Sequence, residues 1–101
     1  MTLAPIKPKR KYLYQKAIAQ WGEQAQVDIC IEECAELIHA LSKLKRGSKT
    51  GLQGCIEEIA DVYIMLGQIR LIVNKDKEIG QVINLKINRL KTRIKEGKNG
   101  K

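Results

Sequence analysis

The stretch CIEECAELIHALSKLKRGSKTGLQGCIEEIADV, residues 30–62, contains two similar acidic phrases separated by a glycine-containing segment. The first phrase, CIEECAEL, begins at Cys30, and the second, CIEEIADV, begins at Cys55. Each phrase lies in a longer run in which apolar residues recur at steps of three and four, the period of an amphipathic α-helix. The stretch therefore predicts two long helices joined by a loop.

The rest of the chain also has helical periodicity. The long helices are predicted over residues 24–44 and from residue 52 or 55 to residue 73, with Gly67 allowing a close helix contact, and residues 45–54 form the loop. A shorter helix ends at Gly22, and a last helix begins at residue 79 and ends near Gly97. The short first helix is predicted to have one apolar face, made of Leu13, Ala17, Ile18 and Trp21. Residues 1–9 are predicted to be a flexible arm and residues 97–101 a disordered tail.

These elements predict one all-α domain, a four-helix bundle-like fold in which the two long helices are antiparallel. The chain has 101 residues, no phenylalanine and two prolines, which argues against a sheet. It has no signal-peptide pattern and no apolar run long enough to span a bilayer, so a cytoplasmic location without membrane contact is expected. The three cysteines are predicted to be reduced thiols inside helices.

The two phrases concentrate negative charge in a chain of net charge +8. Exposed helical carboxylates commonly have Lys or Arg three or four residues away, but none of these six has one. The six acids are Glu32, Glu33, Glu36, Glu57, Glu58 and Asp61. Their mutual repulsion costs stability unless a cation is bound between them.

The positions of the acids about Gly47 predict how they meet. Glu33 and Asp61 are equally far from Gly47 in sequence, and so are Glu36 and Glu58. If the long helices form a hairpin about Gly47, these four carboxylates converge in one interhelical groove. Ligands that are all carboxylate oxygens suit Mg²⁺, or Mn²⁺, better than zinc. A solvated acidic patch is the main alternative, and a zinc site made from cysteines and His39 is another.

These residues resemble motifs of the MazG-like family of all-α nucleotide pyrophosphohydrolases. EECAE at residues 32–36 and EIAD at residues 58–61 look like the family's EExxE and ExxD motifs, and the likeness covers about residues 18–93. The resemblance implies Mg²⁺-dependent hydrolysis of nucleoside triphosphates, deoxynucleotides among them, to the monophosphate and pyrophosphate. It implies metal ligation by Glu33, Glu36, Glu58 and Asp61, and a homodimer or a dimer of dimers.

Roles in such a site are also expected for several other residues. Glu32 or Glu57 would orient or deprotonate the attacking water, or support the metal ligands from outside. Phosphate contacts are expected from a basic face of the last helix, made of Lys86, Arg89 and Arg93, although a basic stripe on a terminal helix is usually just solvated. The chain lacks the Lys-x-x-x-Asn pattern that many family members carry in this helix. Trp21 could stack on a nucleobase, although a lone tryptophan on an apolar helical face more often belongs to the core. His39 could line the groove or cap its edge, and the second interpretation is favoured.

Two other functions fit parts of the sequence. A small basic helical module could bind nucleic acid through its termini, where lysines and arginines gather. That function leaves the repeated carboxylates unexplained, so nucleic-acid binding is not excluded but is the weaker interpretation. A non-catalytic regulatory subunit would keep the same fold, although all four carboxylates of the expected ligand set are present.

Overall fold

The computed structural model describes residues 3–100, which form four α-helices: α1 Pro8–Trp21, α2 Glu23–Lys45, α3 Gly51–Val73 and α4 Asp76–Glu96. No strand occurs among these residues, which confirms the predicted all-α class. The chain divides into two compact units, one of which is Ile6–Val73 with α1, α2 and α3. The other consists of α4 and the segment that precedes Ile6. No helix in the described part of the chain has the length and apolar character needed to cross a membrane.

The turn between α2 and α3 is shorter than the sequence suggests. Gly47 adopts a left-handed conformation with φ of 74°. Its N–H donates to the Leu44 carbonyl, and the Ser48 N–H donates to the Lys43 carbonyl, which together cap the end of α2. The prediction that residues 51–54 belong to the loop is wrong, because α3 begins at Gly51. A Cβ at Gly51 would lie 2.7 Å from the Leu44 backbone nitrogen, so this glycine is required by close packing.

Contacts between α2 and α3 confirm the predicted antiparallel register about Gly47. The Gln26 Nε2 donates a 2.6 Å hydrogen bond to Gln68 Oε1, and both residues are buried. Gln26 and Gln68 are each twenty-one residues from Gly47. Ala40 and Gly54, each seven residues from Gly47, also face one another, since a Cβ on Gly54 would lie 3.7 Å from the Ala40 Cβ. Residues equally distant from Gly47 are therefore level with one another.

The residues that α2 and α3 pack against one another are spaced at alternating steps of four and three, as in the seam of a coiled coil. On α2 this seam consists of Gln26, Cys30, Glu33, Leu37 and Ala40. On α3 it consists of Gly51, Cys55, Glu58, Val62 and Met65. Glu33, Leu37 and Glu58 are half-buried, and the other seam residues are buried. Glu33 and Glu58 thus occupy positions at which a coiled coil normally places apolar residues.

Helix α1 packs through a residue that the apolar pattern did not single out. Tyr14 is buried, and its ring lies against Gly67 of α3, where a Cβ would come within 2.5 Å of Tyr14 Cε2. Gly67 therefore does allow the close contact predicted from the sequence. The predicted apolar face of α1 is wrong in part, since Leu13 and Trp21 are 62% and 59% exposed. Pro8 belongs to α1 rather than to the predicted arm, because its fixed φ suits the first helical turn.

Helix α4 begins at Asp76, three residues before the predicted start at residue 79. Its C-cap is Gly97, the residue near which the sequence predicted the helix to end, with a φ of 70°. The Gly97 and Lys98 N–H groups donate to the carbonyls of Ile94 and Arg93, respectively. In the same compact unit, a Cβ on Gly80 would lie 3.1 Å from the Leu3 nitrogen. The first two residues of the predicted arm and the last residue of the predicted tail lie outside the described residues.

Candidate metal centre

Three carboxylates from α2 and α3 converge at the seam. Glu33, Glu36 and Glu58 each offer one carboxylate oxygen, and these three oxygens lie within 4.8 Å of one another. Glu33 and Glu36 are three residues apart on one helical face, and the hairpin brings Glu58 of α3 against them. Three carboxylate oxygens this close together could hold one metal ion.

The cluster has few of the partners that usually accompany buried carboxylates. Glu33 Oε2 and Glu58 Oε2 are shielded from solvent and have no hydrogen-bond partner. Among residues 3–100, none of the six acids of the two phrases takes part in a salt bridge; Lys75 pairs with Glu78, and Lys98 with Glu96. A buried acceptor without a partner costs folding free energy, so a bound cation or a hydrogen-bond donor would stabilise the site.

The electrostatics of the site favour protonation when no cation is present. Burial raises the pKa of Glu33 to about 7, with further contributions from the negative charges of Glu36, Asp61 and Glu58 and from a side-chain hydrogen bond with Glu58. Burial likewise raises the pKa of Glu58, and the charge of Glu36 adds to this rise. The hydrogen bond with Glu33 lowers the pKa of Glu58 but does not offset the other effects. A cation would relieve the same repulsion that protons relieve here.

The remaining acids of the two phrases lie around this cluster. Asp61 is exposed and is not one of the three converging residues, but its charge contributes to the raised pKa of both Glu33 and Glu58. Glu57 is exposed and lines a groove beside the cluster. Glu32 is exposed on α2.

The groove beside the cluster has a volume of about 500 Å³ and lies between α2 and α3. Glu36, Glu57 and Glu58 line one part of it. His39 lines it too, so of its two interpretations the lining role is correct and the favoured capping role is wrong. Three polar lining residues, Lys43, Thr50 and Gln53, were not predicted from the sequence. Their spacing could have revealed them, because Lys43 is seven residues from Glu36 and Gln53 is four residues from Glu57.

The expected substrate-binding residues lie elsewhere in the chain. Lys86 and Arg89 are exposed on α4, and the Arg93 guanidinium donates a 3.0 Å hydrogen bond to Asn99 Oδ1. They belong to the compact unit that contains α4, and their phosphate-binding role stays a prediction. Trp21, at the end of α1, is more than half exposed. The interpretation of Trp21 as a core residue is therefore wrong, and stacking on a nucleobase stays a prediction.

The cysteines do not join the candidate site. All three are free thiols, with Cys30 and Cys55 buried and Cys34 half-buried. Burial and the neighbouring Cys34 raise the pKa of Cys30, which disfavours the thiolate that a zinc site requires. Among the described residues, the acidic trio alone has the spacing of a metal-binding group.

Comparison with known proteins identifies no relative: no family model, no curated protein and no solved structure matches the chain. The interpretation of the site therefore depends on its own geometry and on the two carboxylate motifs.

Proposed function

We propose that the chain is a Mg²⁺-dependent nucleoside triphosphate pyrophosphohydrolase, which converts a ribo- or deoxyribonucleoside triphosphate and water to the monophosphate and pyrophosphate. The observation that carries the proposal is the convergence of three carboxylate oxygens within 4.8 Å at the α2–α3 seam. A groove opens beside these oxygens and is wide enough for part of a small-molecule substrate. An enzyme of nucleotide pools would act in the cytoplasm, the location expected from the sequence.

The donor set fits a hard divalent cation. Its members are carboxylates without a nearby salt-bridge partner, and Glu33 Oε2 and Glu58 Oε2 are orphaned acceptors. In the proposed site Glu33, Glu36 and Glu58 hold the cation and Asp61 completes the ligand set. A bound Mg²⁺ or Mn²⁺ supplies positive charge that makes a coordinated water more acidic and stabilises charge on the phosphates.

The proposed reaction is attack of water on the α-phosphorus. The bond from the α-phosphorus to the oxygen that bridges the α- and β-phosphates breaks, and pyrophosphate leaves with that oxygen. Glu57 is the better candidate to accept the proton of the attacking water, because its side chain lines the groove. Glu32 is then left to support the ligands of α2 from outside. Lys86, Arg89 and Arg93 of α4 stay candidates for phosphate contacts.

The proposal is tested by incubating the purified protein with a panel of NTPs and dNTPs, with and without Mg²⁺, and resolving the products by ³¹P NMR. We expect equal amounts of monophosphate and pyrophosphate, and none without the cation. The variant Glu36→Gln/Asp61→Asn should lose at least about 100-fold in kcat/KM, since second-sphere changes alone commonly cost 10- to 100-fold. Asp28→Asn, an exposed acid on α2 outside the cluster, is the matched control.

Three outcomes count against the enzyme. They are failure to release pyrophosphate from any member of the panel, activity that survives the double substitution, and release of orthophosphate instead of pyrophosphate. Binding of DNA or RNA with a steep salt dependence and no need for a cation would favour the nucleic-acid module instead. Tight binding of Mg²⁺ and nucleotide without turnover would favour the regulatory subunit.

The surface of α3 supports the proposal that the active species is a homo-oligomer. A stripe of large apolar residues runs along α3 at alternating steps of four and three, and each of its members is 50–64% exposed. The stripe consists of Leu52, Ile56, Ile59, Tyr63 and Leu66. An apolar stripe of this length is costly in water, and its coiled-coil spacing matches the packing of helices in bundles. A second hairpin with the same stripe is the simplest partner.

Sedimentation velocity tests this assembly. We expect the wild-type chain to sediment as a dimer or larger, and Ile59→Lys to sediment as a smaller species. Leu85→Lys, which replaces an exposed leucine of α4 outside the stripe, is the control and should sediment like the wild type. A monomeric wild-type chain at micromolar concentration, or an unchanged Ile59→Lys, would contradict the proposal.

A further inference from the structure

The groove beside the carboxylates changes character along its length. At the cluster it is lined by Glu36 and Glu58, but toward the turn between the helices its polar lining is His39, Lys43, Thr50 and Gln53. The acidic part suits a cation, whereas the other part offers an ammonium, a hydroxyl, an amide and an imidazole. These groups are donors of the kind that bind phosphate oxygens.

The helix geometry directs Lys43 toward the cluster. Lys43 is seven residues after Glu36, so the two residues lie on the same face of α2, about 10 Å apart along the axis at ~1.5 Å per residue. Side chains of a helix lean toward its N-terminus, which for Lys43 is the direction of Glu36. The flexible four-carbon stem of lysine can therefore present its ammonium to a ligand seated on the carboxylate-bound cation.

Lys43 lacks an internal partner that would explain its position. It is half-buried in the wall of the groove, and it forms no salt bridge with any residue of the described chain. A lysine with a partly buried stem keeps its ammonium accessible, so Lys43 can present that charge to the groove. The neighbouring Lys45, by contrast, is exposed and does not line the groove.

We propose that the turn-proximal half of the groove binds the β- and γ-phosphates of the triphosphate, with Lys43 as their charged ligand. This inference rests on the proposed function and assigns an orientation to its substrate. The α-phosphate lies at the carboxylate cluster, the departing pyrophosphate lies toward the turn, and the nucleoside extends the other way along the seam. Nucleoside triphosphates are then preferred over mono- and diphosphates, because only the triphosphate group is long enough to reach Lys43 fully.

The first test is steady-state kinetics of Lys43→Met, Lys43→Arg and Lys45→Met. Loss of one charge-assisted contact should raise KM for the triphosphate about tenfold or more in Lys43→Met. Lys43→Arg should recover most of the loss, and Lys45→Met should match the wild type. Titration with Mn²⁺ alone should give the same affinity for all four proteins, because Lys43 does not ligate the cation.

The second test needs no turnover. Inorganic tripolyphosphate in the presence of excess Mn²⁺ is titrated into each protein by calorimetry. About tenfold weaker binding by Lys43→Met, with Lys45→Met unchanged, supports the inference even if no nucleotide is hydrolysed, in which case only the proposed function fails. If the wild type hydrolyses triphosphates but Lys43→Met keeps both its KM and its tripolyphosphate affinity, the inference is overturned and the function stands. A wild type that neither hydrolyses triphosphates nor binds tripolyphosphate overturns both.

Discussion

Protonation of Glu33 gives a quantitative prediction for the protein without a divalent cation. Its pKa is about 7 in the folded chain, against an ordinary value of 4.5. Between these values the folded state binds more protons than the unfolded state, so the free energy of unfolding must fall as pH rises. From a pKa of about 7, Glu33 is roughly 90% protonated at pH 6, half protonated at pH 7 and roughly 10% protonated at pH 8. The stability that protonation provides is complete below pH 4.5 and lost as pH rises through 7.

The assay is thermal unfolding followed by circular dichroism in EDTA at pH 5, 6, 7 and 8. We expect the Tm of the wild type to fall across this range and that of Glu33→Gln to fall less, since glutamine has no proton to lose. Because the pKa of Glu58 is also raised, the Tm of Glu33→Gln should keep part of its pH dependence. At pH 8 Glu33→Gln should be more stable than the wild type, and excess Mg²⁺ should reverse that order.

The matched control is Asp28→Asn, which removes an exposed carboxylate of α2 and should keep the wild-type slope. The reasoning is refuted if Glu33→Gln retains the full pH dependence of the wild type, or if it is the less stable protein at pH 8 in EDTA.

Two substitution sets test the packing that positions the site, each by chemical denaturation. Gly67→Ala should destabilise the chain by about 1–3 kcal/mol, because the new Cβ would come within 2.5 Å of the buried Tyr14 ring. Gly54→Ala, whose Cβ would meet only ordinary contact at 3.7 Å, should be neutral or stabilise by up to about 1 kcal/mol; equal effects of the two substitutions would contradict the packing. Gln68→Leu should cost about 1–3 kcal/mol, because it leaves buried Gln26 without its hydrogen-bond partner. The double variant Gln26→Leu/Gln68→Leu should recover much of that loss, and a fully additive double variant would show that the pair is not coupled.

The hairpin could be predicted from the sequence because its two determinants are local. The steps of three and four define α2 and α3, and the equal distances of the acids from Gly47 define the register. The Gln26–Gln68 hydrogen bond, at the far end of the seam, obeys the same register. A regular hairpin transmits its register along its whole length, since both helices rise by the same amount per residue.

The start of α3 and the face of α1 could not be predicted, because both depend on residues far away in sequence. Glycine at position 51 is typical of a loop, yet it is required by the Leu44 backbone against which α3 begins. Tyr14 is buried because Gly67 leaves room for its ring. The local periodicity predicted burial of Leu13 and Trp21 instead, because it reflects apolar character but not the shape of the partner helix.

The local sequence pattern predicted only part of the candidate site. The sequence predicted that Glu33, Glu36 and Glu58 converge, and the structure brings these three together. The sequence also predicted Asp61 as a fourth ligand, whereas Asp61 is exposed and is not one of the three converging residues. Lys43 lies beyond the i±3 and i±4 neighbours of the acids, because it is seven residues from Glu36 along the same groove.

The most direct test of the central claim is titration of the protein with Mn²⁺, with unbound Mn²⁺ measured by electron paramagnetic resonance. We predict saturable binding of at least one Mn²⁺ per chain at pH 8, competition by Mg²⁺, and about tenfold or greater loss of affinity in Glu58→Gln. Asp28→Asn should bind like the wild type. Absence of saturable binding, or equal affinity in Glu58→Gln and the wild type, would contradict the assignment of the carboxylate cluster as a metal centre.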